Sequence, residues 1–142
     1  MRRRLRKLYA LAREWPAAYE AAALTFLTGT SLRVASFESV ARCLLRTARI
    51  GPAVTPDDIH RLEEIVNIVA GRVGRQQCLT KAIVLATMLE RRGVSSTIYI
   101  GARRGEDGFA AHAWLRCGDR LLPATGHEQY APLHTIAIRE HA

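Results

Sequence analysis

The hydrophobic residues of this chain change their spacing near Gly93, and this change restricts the folds that the chain can adopt. Before Gly93, apolar residues recur every three or four positions, which is typical of amphipathic helices. After it, short segments rich in β-branched residues alternate between apolar and polar positions, as in half-buried strands. Helices followed by antiparallel strands predict an α+β fold, in which the last helix packs on a small sheet.

The length of the chain limits the number of domains. A chain of 142 residues has room for one hydrophobic core and too little for two. We therefore predict a single domain over residues 1–142. Residues 1–74 form its helical part, and residues 75–142 contain one further helix, which carries a cysteine, and the antiparallel sheet.

Local signals mark the ends of the helices. Thr55 is followed by Pro56 and two aspartates, and a helix begins there because threonine caps, proline fits the first turn and carboxylates complement the dipole. Ser36 is predicted to cap a shorter helix. A further helix runs from Cys78 to Arg92, with its last three residues (90–92) exposed, and Gly93 lies where a left-handed C-terminal cap is favoured.

Turns that contain glycine separate the predicted strands. A charged loop is predicted from Gly101 to Gly108, and Gly118-Asp119 is predicted to form a two-residue turn. The predicted strands run from Val94 to Ile100, from Phe109 to Cys117, from Arg120 to Leu122 and from Thr135 to Ile138.

Composition and charge limit the partners and the compartment. The net charge of +8 favours an acidic partner, or it reflects an arginine-rich composition alone. The basic N-terminus lacks the stacking aromatics and base-reading motifs of a nucleic-acid module, so no nucleic-acid partner is predicted. Three cysteines without a C-x-x-C pair indicate a reducing cytoplasm. The apolar runs are too short and too charged for a signal peptide or a membrane span.

A cysteine and a histidine occupy the kinds of position that the catalytic residues of a cysteine hydrolase require. Cys78 lies at the predicted start of a buried helix, where the positive end of the dipole favours an ionised sulfur. His112 lies in a predicted strand, and Trp114 shares its face because side chains two apart on a strand point the same way. A buried structural thiol and a histidine bonded to a carbonyl would show the same spacing. We predict Cys78 as the nucleophile and His112 as its base.

Other residues near this pair have less specific signals. Gln77 could help the Cys78 N–H to hold an oxyanion, or it could be a solvent-facing loop residue. Cys43 and Cys117 are predicted to be small buried hydrophobes. The remaining histidines share no metal-ligand spacing with one another or with a cysteine, so neither a metal nor a cofactor is predicted.

Several segments of the second half occur in a distinctive order, namely Gln77-Cys78-Leu79-Thr80, Arg92-Gly93-Val94, Ile100-Gly101 and Ala111-His112-Ala113-Trp114-Leu115. Together they resemble the leader peptidases of lasso peptide biosynthesis, which are transglutaminase-like cysteine proteases. The resemblance is densest from Gln77 to Tyr130. It implies a papain/transglutaminase-like fold and a peptidase that removes the leader from a ribosomally made precursor peptide through a Cys78 thioester.

The resemblance also implies partners. Removal of the leader frees the amine on which a separate ATP-using lasso cyclase closes the ring. In some such systems a leader-recognition domain is fused in front of the peptidase, and in others it is a separate protein. Only helices are predicted ahead of Cys78, so we expect the stand-alone peptidase half of the split protein, with the precursor peptide and a separate leader-recognition protein as partners.

The resemblance is incomplete at the third catalytic residue. The family usually has an acidic residue at the position that Ala124 occupies here. If Gly118-Asp119 forms a two-residue turn, Thr125 lies opposite His112 and could face its ring. Glu128 is the other candidate, and either side chain could orient the imidazole.

Two other functions are compatible with the same residues. Transglutaminase-like acyl transfer or deamidation needs the same nucleophile, base and oxyanion site as peptide hydrolysis. A non-catalytic basic adaptor that binds peptides is the third hypothesis, and both Ala124 and the arginine-rich N-terminus favour it.

Overall fold

The fold has its helices first and its sheet second. It is a computed structural model that describes residues 15–45, 54–70, 77–123 and 127–137. The helices in these ranges are α1 (Trp15–Ser31), α2 (Phe37–Leu45), α3 (Pro56–Ala70) and α4 (Gln77–Glu90). The strands are β1 (Thr97–Gly105), β2 (Gly108–Cys117), β3 (Arg120–Leu122) and β4 (Ala131–Ala137). The predicted α+β order is therefore confirmed.

Hydrogen bonds at the helix ends confirm the predicted caps. The Asp58 N–H donates to the Thr55 hydroxyl over 3.2 Å, and the Thr55 N–H donates to the Asp58 carboxylate over 2.9 Å, which makes a reciprocal capping box. Hydrogen bonds from the Thr55 hydroxyl and amide hold the pKa of Asp58 below its usual value. Ser36 accepts a bond from the first turn of α2, and Gly93 ends α4 with a φ of 76°.

The strands pair in the order β3-β2-β1-β4, and each neighbouring pair is antiparallel. The turn at Gly118-Asp119 joins β2 to β3 as predicted. The prediction of a loop from Gly101 to Gly108 is wrong, because β1 continues to Gly105, which pairs with Gly108 across a turn of two residues. The charged end of this hairpin is exposed, so extending the strands buries no charge, and Gly108 closes the turn with a φ of 103°.

Helix α4 lies at the centre of the molecule. Residues 82–90 are all buried, because α1 and α3 pack on this helix and β2 packs on its other side. The sheet contributes Ile98 and Leu115 to the same core, and both are fully buried. Although α4 is apolar, none of the helices in the described ranges is long and apolar enough to cross a membrane.

Two predictions about exposure are wrong. Glu90, predicted to lie at the exposed end of α4, is buried, because α1 covers this end of the helix. The guanidinium of Arg92 binds the Glu20 carboxylate of α1 there, with 2.7 Å between the two atoms. Cys43, predicted to be buried, is exposed on α2, whereas Cys117 is buried as predicted.

Candidate active site

A cavity of about 580 Å³ opens between α3, α4 and the sheet. Cys78 from α4 and His112 from β2 both line it, so the fold brings the two predicted catalytic residues to one cavity. The volume is in the range of cavities that hold small molecules or a substrate side chain. The other residues in its wall are Glu63, Val66, Asn67, Lys81, Ala82, Leu85, Ala113, Leu115, Leu122 and Pro123.

Cys78 is the second residue of α4 and is half-buried. The prediction that it lies at a helix N-terminus is therefore confirmed. Backbone N–H groups of the first helical turn have no partner within the helix, and the dipole adds positive partial charge at this end. Both effects favour a thiolate and, later, an oxyanion beside the sulfur. Gln77 begins the helix, but its side chain lies outside the described part of the structure.

His112 lies in β2, opposite Gly101 of β1, and is half-buried. Its ring stacks on Trp114, with 6.0 Å between the ring centroids, as expected for two residues on one face of a strand. It also contacts the ring of Tyr130, with 5.0 Å between the centroids. Its Nε2 atom is buried and has no hydrogen-bond partner among the described residues, so Nε2 makes no bond to Cys78. In free enzymes the catalytic hydrogen bonds are often long or poorly aligned and tighten when substrate binds.

Trp114 is the centre of an aromatic cluster on the face of the sheet that carries His112. The indole stacks on Tyr99 at a centroid distance of 5.7 Å and packs against His127 at 5.9 Å. Only 5% of Trp114 is exposed, so it is a packed residue that supports the histidine. A strand tryptophan can either line a groove or fill a core, and the burial of Trp114 assigns it to the packed residues.

The surroundings of His112 favour its neutral form. Burial lowers the pKa of His112 below its usual value of 6.5, and the positive charge of protonated His127 lowers it further. At neutral pH the imidazole is therefore mostly unprotonated. A base that takes the proton of a thiol must be in this form.

The predicted third residue is only partly described. Thr125 and Ala124 lie outside the described residues, although β2 and β3 have the predicted register, with Leu115 opposite Leu122. Glu128 is exposed, and its carboxylate lies 3.9 Å from Nδ1 of a neighbouring residue, His127. Sequence reasoning considered His127 only as a metal ligand.

Sequence reasoning also missed three polar residues in the cavity wall, Glu63, Asn67 and Lys81. Lys81 could have been found, because it follows Cys78 by three positions and three-residue spacing keeps two side chains on one face of a helix. Glu63 and Asn67 have the corresponding four-residue spacing on α3. However, no local signal indicates that this face of α3 meets the start of α4. In the described part of the chain, no three histidine, cysteine or acidic side chains cluster as a metal site would require.

Glu63 allows a test of whether a negative charge in the cavity wall lowers the stability of the fold. Its side chain is 17% exposed, and burial raises the pKa of its carboxyl group. The folded protein then holds this proton more tightly than the unfolded chain does, so the associated stability is present at low pH and is lost as the pH rises through the raised pKa. We expect Glu63→Gln to raise the melting temperature at pH 7 by about 1–4 °C.

Circular dichroism melts of Glu63→Gln and of the native protein at pH 7 and at about pH 3.5 would check this expectation. At the lower pH the carboxyl group of Glu63 and the amide that replaces it are both neutral. The difference in melting temperature between the two proteins should therefore vanish. Glu64→Gln, on the exposed side of the same helix, is the matched control and should have little effect at either pH. An equal rise in melting temperature at both pH values would show that the charge of Glu63 is not its cause.

In the described residues, four helices precede a four-stranded antiparallel sheet, and a cysteine lies at the start of the last of them. This arrangement is consistent with a transglutaminase-like fold. The family model of the transglutaminase-like superfamily matches residues 21–135, and the chain belongs to this superfamily. Neither a comparison with curated proteins nor one with solved structures gave a significant match. Members of the superfamily are generally catalytic, so the family indicates an activity of the cysteine protease or acyltransferase type.

Proposed function

We propose that this protein is a cysteine peptidase that removes the leader from a ribosomally made lasso precursor peptide. The main support for the proposal is the shared cavity. It is lined by Cys78, at the N-terminus of α4, and by His112 of β2. Membership of the transglutaminase-like superfamily supports the use of a cysteine nucleophile. The substrate class is supported by the resemblance of the segments from Gln77 to Tyr130 to the leader peptidases.

The reaction begins when His112 takes the proton of the Cys78 thiol, and the sulfur attacks the carbonyl carbon of the scissile peptide bond. The oxyanion that forms is stabilised by N–H groups at the start of α4, with Gln77 as a candidate further donor. His112 then gives the proton to the leaving amine, and the C–N bond breaks. The leader remains on Cys78 as a thioester. A water molecule, deprotonated by His112, hydrolyses this thioester and restores the thiol.

The proposal includes the partners of the reaction. The substrate is the precursor peptide, and a separate leader-recognition protein presents it, while the freed core passes to an ATP-using lasso cyclase. All of these would meet in the cytoplasm, where the cysteine thiol stays reduced. We propose the whole chain, residues 1–142, as one catalytic domain.

The experiment that tests the proposal is incubation of the purified protein with a lasso precursor peptide, followed by mass spectrometry. Hydrolysis gives a free leader acid and a core with a free amine. If the reaction contains an added primary amine and the leader leaves as its amide, the protein is an acyl transferase instead. If neither product forms when a recognition protein is present, both enzymatic functions are contradicted.

The proposed recognition protein should accelerate cleavage strongly, by about tenfold or more, since a peptide held on a partner reacts at a raised effective concentration. The arginines at positions 2, 3, 4, 6 and 13 lie outside the described residues, and they supply a basic segment on which an acidic partner or leader could dock. Attraction of this kind weakens with salt, so we expect about 0.5 M salt to reduce the acceleration. Cleavage time courses with and without the partner, over a salt series, would measure it. Equal cleavage rates with and without the partner would show that the chain recognises its substrate without a recognition protein.

A further inference from the structure

Two histidine rings from distant parts of the chain lie against the same indole. The ring centroids of His112 and Trp114 are 6.0 Å apart, and those of His127 and Trp114 are 5.9 Å apart. His112 belongs to β2, whereas His127 lies in the connection between β3 and β4. The packing around Trp114 therefore places a second imidazole against the same indole as the candidate base.

Each of these rings has a buried nitrogen that makes no hydrogen bond to any described residue. The atoms are Nε2 of His112 and Nδ1 of His127. A buried polar atom without a partner costs roughly 1–3 kcal/mol, and folded proteins contain few of them. Both atoms belong to rings that pack against Trp114, and His112 also lines the cavity.

We propose that His127 is the positioning residue of His112, with Nδ1 of His127 accepting a hydrogen bond from the Nε2–H of His112 in the working site. This inference rests on the proposed function, in which His112 is the base of Cys78. A proton held on Nε2 leaves Nδ1 of His112 unprotonated, and that nitrogen can take the proton of the thiol. His127 thereby takes the role of the acidic residue of a triad, because it selects the tautomer and the orientation of the base.

The protonation of His127 controls this bond. When His127 is neutral with its proton on Nε2, its Nδ1 is an acceptor for His112. When it is protonated, Nδ1 carries a hydrogen that can turn to the Glu128 carboxylate, 3.9 Å away, and His112 loses its acceptor. The other titratable or charged groups near His112 are Tyr99 and Arg103 on β1, Tyr130 before β4, and Glu63, Cys78 and Lys81 in the cavity wall.

Two substitutions separate positioning from packing. His127→Phe keeps a ring against Trp114 but removes both nitrogens, whereas His127→Asn keeps an oxygen at the position of Nδ1 that can accept a hydrogen bond. Each is made in a Cys43→Ala background, since Cys43 is an exposed thiol on α2. The matched control is His134→Phe, which replaces an exposed histidine of β4.

The readouts are kcat and KM for precursor cleavage, the pH dependence of Cys78 alkylation by iodoacetamide, and the melting temperature. For His127→Phe we expect kcat to fall about 30- to 100-fold with KM changed less than about twofold, because the substrate binds but the base is misoriented. The alkylation rate between about pH 5 and pH 8 should fall, because the base that takes the proton of the thiol is misoriented. His127→Asn should recover kcat to within about fivefold of the native protein. His134→Phe should leave kcat, KM and the alkylation profile unchanged, although it removes the contact between His134 and the Glu38 carboxylate, 2.9 Å away.

Two results would overturn the inference. One is a His127→Phe variant whose kcat and alkylation profile equal those of the native protein. The other is a His127→Asn variant as slow as His127→Phe with a lower melting temperature, which would assign His127 a packing role only. If the native protein cleaves no precursor but its Cys78 alkylation still responds to His127→Phe and recovers in His127→Asn, the proposed substrate is wrong and the positioning role stands.

Discussion

Cys78→Ala should abolish processing, with a loss of about 10³-fold or more in the rate of precursor cleavage. The substitution removes the sulfur that forms the thioester, and no other residue of the cavity wall is a cysteine. His112→Ala should cost about 10²- to 10⁴-fold, because the thiol keeps its proton without a base. Both side chains are only half-buried, so the fold should survive. Mass-spectrometric time courses together with circular dichroism melts would measure the two effects.

The other two cysteines provide the controls for this experiment. Cys43→Ala, at an exposed position, should leave both the rate and the melting temperature unchanged. Cys117→Ala should lower the melting temperature slightly, since it removes a buried sulfur, and should retain most of the activity. If Cys78→Ala still processed the precursor at a substantial rate, another nucleophile would have to carry the reaction.

Gly101→Ala should damage both stability and activity, because β1 has no room for a side chain at this position. A Cβ atom there would lie 2.8 Å from the carbonyl oxygen of Ala131 in β4 and 2.8 Å from two ring carbons of Trp114. The indole cannot move freely, since it is stacked on His112 and Tyr99. We expect a loss of about 1–3 kcal/mol in the free energy of unfolding from this overpacking.

The effect of Gly101→Ala on activity follows from the same contact. If the indole shifts, the ring of His112 shifts with it, and a displacement of about 1 Å at a catalytic group can lower the rate by about 10²-fold. The matched control is Gly105→Ala in the same strand, where the nearest atom to a Cβ is a carbonyl oxygen 3.9 Å away. It should be nearly neutral in urea unfolding and in cleavage assays. Equal melting temperatures for the two variants would contradict the close packing of Gly101 on Trp114.

Local features of the sequence determined the order of the elements and several of their ends. The Thr55 cap, the glycine after α4 and the turn at Gly118 each act through hydrogen bonds or backbone angles within a few residues, so a short window of sequence reveals them. The same locality explains why Cys78 could be placed at a helix N-terminus and why His112 and Trp114 could be placed on one face. The family resemblance adds that these two segments belong to one site. The hydrogen bond between Cys78 and His112 remains a prediction.

Only the tertiary structure decided what surrounds these residues. Glu90 is buried because α1 covers the end of α4, and Glu63 faces the cavity because α3 packs beside the start of α4. His127 lies against Trp114 because the residues just before β4 pack on the face of the sheet that carries His112. These contacts join residues far apart in the chain, and their stability comes from the burial of apolar area, which has no direction and no characteristic spacing. A local pattern therefore predicts the nucleophile and the base, whereas the groups that orient and tune them depend on packing.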